Sequence, residues 1–600
     1  MPSRPSILGL LFVVLSALGA SAQPYHVATA ADGGDDGNDG SPGAPWATIT
    51  HALDTVPDES LILVAPGTYT GRIRIRGSFP VGVTVRSEVP YEARLRHDAA
   101  VLTVYDGQGI TIEGFDVAHS GPGAGGLVIQ VQDLIGEPGG ADRVERIVLR
   151  NNILHDSYNN DVLKVNNGAA DVLIEGNLFY NQTGSDEHID INSVERVVVQ
   201  DNIFLNDFAA SGRVNEGNTS SFIVVKDSNA DSDTVVGSRD ITVRRNVFLN
   251  FEGGTGANYL LFGEDGQPFY ETIGGVVENN LMIGTSIDRF RAPFGVKGCQ
   301  DIDFRHNTLA GDMFSRAFVA RINTEGANLP IDQLVMVGNV FSDPTGTMDD
   351  FTDSPIGQTN SFTLARNLYW NGGNPIPAEA DDMINFADDP APVLGDPVLG
   401  DQAGLLVPTW DESSGRFRDG SATIREAFER LVELYGTPGA GSAAVDAGDP
   451  GDAPLDDILG NPRPSGSAPD LGAVEVQVVE PPELVLRVTG GALADVTWEA
   501  VPGALHHDTY RGSLPPFGLS SRGAGLAVYD HVCFEAADAL GDGPLQTRDG
   551  DPPSPGNVGW YYLVSVTDGA GEGSLGRASS DLDAVTPGVQ LLRPNDAPCP

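Results

Sequence analysis

One short phrase recurs along this chain and limits what it can fold into: three or four strand-forming residues, then an asparagine, then an apolar pair. It reads IVLRNNIL, VLIEGNLF, VVVQDNIF, ITVRRNVF, VVENNLMI, IDFRHNTL, LVMVGNVF and FTLARNLY, with the shared residue at Asn152, Asn177, Asn202, Asn246, Asn280, Asn307, Asn339 and Asn367. The spacings are 25, 25, 44, 34, 27, 32 and 28 residues. A constant minimum with variable excess is what a stack of coils gives when loops are inserted at its corners. Each phrase is β-branched and too brief for a helix, so every coil supplies strands. Stacked coils hold equivalent residues about 4.8 Å apart, and the asparagines are expected to form an internal ladder in which each amide satisfies the next.

The chain is 600 residues long with 74 glycines, too long for one core and too glycine-rich for a helical bundle. Its 83 acidic and 35 basic residues leave a formal charge of −48, which argues against a nucleic-acid partner. At 40% hydrophobic and 20% charged it has ample material for a core. Residues 1–22, with Arg4, the apolar run Ile7–Leu18 and the small stretch Ala20-Ser21-Ala22, read as a cleaved secretory signal. No membrane span follows, so an extracellular location is expected, and the chain is read as a monomer. Such a compartment permits disulfides, with Cys533 and Cys599 the plausible pair and Cys299 a small buried hydrophobe.

This repeat pattern resembles the right-handed parallel β-helix of secreted carbohydrate-active proteins over roughly residues 25–475. The all-β expectation is therefore a solenoid over 23–479 with an N-terminal cap, followed at 480–600 by a small antiparallel β-sandwich. The segment from Trp46 to Val56 is expected to be a short amphipathic helix covering the open end, since a bare strand edge invites aggregation. The nearby Asp32, Asp35, Asp36 and Asp39 fit either a Ca²⁺ loop or a solvated glycine-rich turn. Towards the far end, a helix candidate TIREAFERLVELYG precedes AAVDAGDP and PDLGAVE, which are similar to closing phrases of such solenoids. Beyond Glu480-Pro481-Pro482 the alternating strands and glycine-proline turns look like a fibronectin-type-III module.

Chemistry is expected where the solenoid breaks its own rule. Asp161 and Asp186 each precede a ladder asparagine by 16 residues and are therefore read as stacked neighbours. Two carboxylates about 5 Å apart repel by roughly 3 kcal/mol at an effective dielectric of 20. Glu187 and Asp190 add to the crowd, so a cation must share the site or a proton must stay on it. Alternation in HIDI places Ile189 and Ile191 inside with His188 and Asp190 outside, and the same parity in FIVVK puts Lys226 outside one coil further on. Oxygen donors without cysteine favour Ca²⁺ over zinc or copper.

In order and spacing, these residues resemble the family 9 polysaccharide lyases, which include pectate lyases. Their Asp-Asp-x-x-Asp run is matched by Asp186-Glu187-His188-Ile189-Asp190, with glutamate for the second aspartate; Asp161 matches the aspartate one coil earlier. Lys226 lies 36 residues beyond Asp190, where that family's lysine would fall. The resemblance implies an extracellular, Ca²⁺-dependent enzyme that cleaves an acidic polysaccharide of pectate type by β-elimination, with Lys226 as base. A lysine acts as base only when neutral; a bound divalent cation lowers its pKa and an empty acidic cluster raises it, so an alkaline optimum is expected.

Lys164 is a competing base or an ion-pair partner of the cluster, and His188 a proton donor to the leaving oxygen or a hydrogen-bonding support. Lys297 and Arg321 share the alternation and are candidates for binding polyuronate carboxylates. Two other functions compete. DEHID loosely resembles the Asp-Pro-His-Asp signature of alginate C5 epimerases, and solenoids of this kind also serve as non-catalytic adhesins or polysaccharide-binding scaffolds.

Overall fold

The computed structural model describes residues 24–477 apart from 134–143, 185, 229–234, 285–290 and 314–316, together with a set of strands between Arg487 and Leu592. The secretory signal expected at 1–22 lies outside the described residues. The chain divides into two compact units, Met1–Val476 and Gln477–Pro600.

The first unit is a parallel β-helix, right-handed as parallel crossovers are. A representative coil runs through the strands Leu163–Asn166, Ala170–Glu175 and Leu178–Gln182. Each pairs in parallel with its counterpart in the next coil, Ile189–Asn192, Glu195–Gln200 and Ile203–Leu205. Alternation decides what goes inside: Ile129, Leu163, Ile189, Ile223, Leu260, Phe294 and Ala320 follow one another in register along the first strand of successive coils, and all are buried. On the third strand Phe179, Phe204 and Phe248 stack at 4.9 and 5.0 Å between ring centres, a geometry that adds to their area burial.

The expected ladder is present. From Asn152 to Asn339 each asparagine sends both its backbone N–H and its side-chain amide to the Oδ1 of the next, at 2.8–3.1 Å. The residue before each one has positive φ: Asn151, Gly176, Asp201, Arg245, Asn279, His306, Gly338 and Arg366. That left-handed step makes the bend between second and third strands, at a cost for non-glycine residues that the buried amide pairs offset. The ladder ends on Asp389, which accepts from the Asn367 backbone and side chain at 2.9 and 3.2 Å and from the Tyr369 hydroxyl at 3.0 Å.

At the N-terminal end the cap helix α1 spans Ile49–Thr55, shorter than the expected 46–56, with Thr48 accepting from His51 N–H at its start. Ile49, Ala52 and Leu53 face the coils. The four nearby aspartates serve the loop's own turns: Asp36 accepts from Ala47 N–H and Thr48 N–H, Asp35 from Gly37 N–H, Asp39 from Ser41 N–H and Asp32 from the Thr29 hydroxyl. This is the turn reading of that segment.

The far end corrects the expectation that AAVDAGDP and PDLGAVE close the solenoid. Coil strands stop at Val393–Leu394, and the chain then returns along the outside of the third-strand sheet. Helix α2, Ile424–Tyr435, packs Ala427, Phe428, Leu431 and Val432 against Ile153, Leu178, Ile203, Val247 and Leu281. Further on, Ala444 and Leu471 pack with Val340 and Leu368. Gly472 sits so close that a Cβ would meet Thr308 Oγ1 at 2.5 Å, and its φ is +84°. The third strands carry apolar residues on both faces, so their outer face needs this cover.

The second unit is antiparallel where described. One sheet joins Arg487–Thr489, Ala494–Thr497 and Gln546–Asp549; another is ordered Val532–Glu535, His506–Leu514, Gly559–Asp568, Gly571–Glu572. Cys533 lies in the strand Val532–Glu535 and is disulfide-bonded; Cys599 lies outside the described residues. Cys299, in the first unit, is a buried free thiol.

Candidate functional site

The first strand of each coil points every second residue outwards, and three neighbouring coils bring carboxylates and lysines together on that face. Leu163 pairs with Ile189 and Ile189 with Ile223. Lys164 is therefore the direct cross-strand neighbour of Asp190, and Lys226 the neighbour of Asn192. Asp161 and Glu187 are joined at the corner just before these strands, where Val162 N–H donates to Glu187 O at 3.2 Å and Glu187 N–H to Asp161 Oδ1 at 3.1 Å.

Here the structure corrects the expected stacking. Asp161 has Glu187 as its neighbour, and Asp186 stands one place further back. The ladder repeat is 25 residues at Asn177 and Asn202, but the first strands are 26 apart, Leu163 against Ile189. The difference arises in the bend between first and second strands, Asn167–Ala169 in one coil and Ser193–Val194 in the next, so counting back from the ladder overshoots by one. Asp186 is half-buried, and its backbone carbonyl accepts from Ser220 N–H at 2.9 Å.

One carboxylate oxygen from each of Asp161, Glu187 and Asp190 lies within 4.8 Å of the others, and all three residues are buried. Burial and the Asp190 charge raise Asp161 to about 7. Glu187 is raised well above its ordinary value by burial, Asp161 and Glu264, and Asp186 is raised mainly by burial. These directions are those of a charge cluster short of positive partners. Lys164 Nζ donates to Asp190 Oδ2 and is 4.0 Å from Asp161 Oδ2. Lys226 Nζ donates to Glu264 Oε2 at 2.6 Å and is 3.9 Å from Asp190 Oδ2. Burial acts to lower both lysines, but the surrounding carboxylates outweigh it and both are raised. Asp190 Oδ1 remains buried without a hydrogen-bond partner.

The donor set fits a hard cation. Two ligands on opposite sides of a Ca²⁺ at about 2.4 Å are at most about 4.8 Å apart, and this group offers only oxygens within that limit. Asp161, Glu187 and Asp190 are the residues that would hold it.

Sequence reasoning missed Glu264 and Asp265. They follow the strand Asn258–Phe262 on the coil beyond Lys226, in a loop organised by the buried Glu271, which accepts from Glu264, Asp265 and Gln267 N–H and from Asn328. The available signal was the consecutive acid pair directly after a core strand in FGEDG.

His188 departs from the expectation that it faces outwards. It is fully buried, stacked on Phe222 at 4.3 Å, with Nε2 paired to Asn206 Oδ1 at 3.0 Å. Burial lowers its pKa to about 3. The strand begins only at Ile189, so parity does not extend back to His188, whose equivalent on the next coil is the core residue Phe222. From there it cannot donate to a bound sugar. Lys297 and Arg321 do lie on the outer face, two and three coils beyond Lys226, but each is occupied: Lys297 with Glu325 at 2.5 Å and Arg321 with Asp353 at 3.2 Å.

Fold and site together define a parallel β-helix protein carrying a buried carboxylate–lysine centre on its first-strand face. Residues 32–344 match the family described as protein of unknown function DUF1565, and the chain belongs to that family. No curated protein matches the chain. Among solved structures it is similar to pectate lyase Pel9A, at 14% identity and a TM-score of 0.43, covering 76% of this chain and 97% of that one. It is also similar to an alginate lyase from Paenibacillus sp. str. FPU-7, at 16% identity and a TM-score of 0.29, covering 46% and 91%. A third likeness is to the Azotobacter vinelandii mannuronan C-5 epimerase AlgE6 A-module, at 12% identity and a TM-score of 0.30, covering 58% and 92%. At these TM-scores none of the likenesses bears on substrate or reaction.

Proposed function

We propose that the protein is an extracellular, Ca²⁺-dependent polysaccharide lyase that cleaves a uronic-acid-containing polysaccharide of pectate type by β-elimination. The observation that carries this reading is the convergence of Lys226 Nζ on Asp190, whose second carboxylate oxygen is buried and unpartnered beside Asp161 and Glu187.

When bound, the cation supplies charge neutralisation for the uronate carboxylate as the C5 proton leaves. Asp161, Glu187 and Asp190 are the residues that would hold it, on the first-strand face where the sugar's acid group would lie. Lys226, as the free amine, takes the C5 proton. The C5–H electron pair becomes the new C4–C5 double bond, the C4–O bond breaks, and the leaving oxygen takes its proton from solvent. Glu264 fixes the Lys226 side chain, which is only 12% exposed, so that it cannot swing away from the face.

C5 epimerisation begins with the same proton abstraction. Its sequence support was the loose likeness of DEHID to Asp-Pro-His-Asp, and the histidine of that run, His188, is packed in the core. The test is incubation of purified protein with polygalacturonate, alginate and glycosaminoglycans, in Ca²⁺ or in chelator, with ultraviolet absorbance followed for the unsaturated product. Absorbance growth that depends on Ca²⁺ supports the lyase reading; growth undiminished by excess chelator contradicts it.

A further inference from the structure

The carboxylate triad already has a cation of its own. Lys164 Nζ donates to Asp190 Oδ2 and is 4.0 Å from Asp161 Oδ2, so one ammonium lies against two of the three acids. It does so from the neighbouring strand position, where Leu163–Ile189 pairing leaves no alternative register. Lys226 is differently placed: its short contact is to Glu264, outside the triad, and Asp190 is 3.9 Å away. The side-chain exposures separate the two as well, 24% for Lys164 against 12% for Lys226. The neighbour of Lys164 on the preceding coil is Gln130, itself half-buried.

We infer that Lys164 is an internal counter-cation, which a divalent cation displaces from Asp190 and which is thereby freed to meet the anionic ligand on the same face. The inference rests on the triad being the metal site. A divalent cation that took the unpartnered Asp190 Oδ1 together with Asp161 and Glu187 would lie close beside the ammonium held on Asp190 Oδ2, and the two positive groups would repel. Loading the site therefore turns a lysine neutralised within the protein into one available to a carboxylate of the substrate.

The experiment is calorimetric titration of the full-length protein with Ca²⁺ alone, for wild type, Lys164→Met and Lys297→Met, together with lysine labelling. The amine-directed reagent is applied with and without Ca²⁺ and read by mass spectrometry. Displacement predicts that Lys164→Met binds Ca²⁺ roughly ten- to a hundredfold more tightly, the worth of one charge-assisted hydrogen bond. Lys297→Met, two coils beyond Lys226, stays near wild type. Labelling of Lys164 rises several-fold on adding Ca²⁺, while Lys297 is unchanged. If wild type binds Ca²⁺ but Lys164→Met binds it equally or more weakly, or Lys164 labelling does not rise, the displacement is overturned and the metal site stands. If no variant binds Ca²⁺ and Asp190→Asn titrates like wild type, the metal-site reading itself fails.

Discussion

The Lys226 ammonium and the Glu264 carboxylate form a 2.6 Å ion pair between successive coils, and this pair, more than the contact to Asp190, sets where the lysine points. Lys226→Ala is expected to lower the rate of unsaturated product formation by about 10²–10⁴, the usual loss for a general base. Ca²⁺ binding should persist. Activity equal to wild type removes Lys226 from the mechanism.

The triad and its near neighbour should separate by mutation. Asp161→Asn and Glu187→Gln each take away a buried donor, and calorimetry should show Ca²⁺ binding lost or greatly weakened. Asp186→Asn, at a residue outside the 4.8 Å group, should bind nearly as wild type does. Equal losses for all three would mean that Asp186 ligates as well.

A second buried charge cluster links stability to pH. His155 lies between Asp116 and Asp156, 2.8 Å from each, with Arg96 and Arg213 behind them. Burial acts to lower the histidine, but the two aspartates outweigh it and raise it from 6.5 to about 9. The folded state thus holds that proton more tightly than the unfolded one. Its stabilisation is complete below pH 6.5 and is lost as pH rises through about 9. Asp156 goes the other way, lowered from 3.8 to about 2, so its contribution holds above 3.8 and fades as pH falls through about 2. The melting temperature should decline between pH 6.5 and 9, and His155→Gln should flatten that decline.

Cutting the amide ladder should be costly. Asn246→Ala removes the acceptor for the Asn202 backbone and side-chain N–H groups and leaves Val199 O without its amide donor. Buried polar groups left unpaired cost about 1–3 kcal/mol each, so a loss above about 2 kcal/mol is expected. Urea unfolding of the chain checks this, as a lower midpoint at unchanged slope.

Much of this molecule was legible because its repeat is chemical as well as periodic. The asparagines are at fixed places in each phrase, and a buried amide has few alternatives to a partner in the next coil. Asp389 was missed because a carboxylate ends the ladder where an asparagine had marked it. Helix α2 was found, but its destination was not, since an amphipathic stripe says that it covers something without saying which face. At the site, Asp161, Glu187, Asp190, Lys164 and Lys226 were all named. Glu264 was missed because it sits on a loop whose length differs from coil to coil, and His188 was misplaced because strand parity was carried past the start of its strand.

The bend at Ser193–Val194, one residue shorter than its predecessor at Asn167–Ala169, has a consequence for how such a centre can change. The hydrogen-bonded spine and the acid row are on opposite sides of that bend, so a bend one residue longer or shorter changes the count of residues between them while each keeps its own register. The bend absorbs that difference: Asn192 stays opposite Asn166 and Glu195 opposite Ala170, because a one-residue slide of the first strand would turn Ile189 and Ile191 outwards and Asp190 inwards. The corner thus works as an expansion joint, in which chain length can vary while the scaffold and the reactive groups both hold their places.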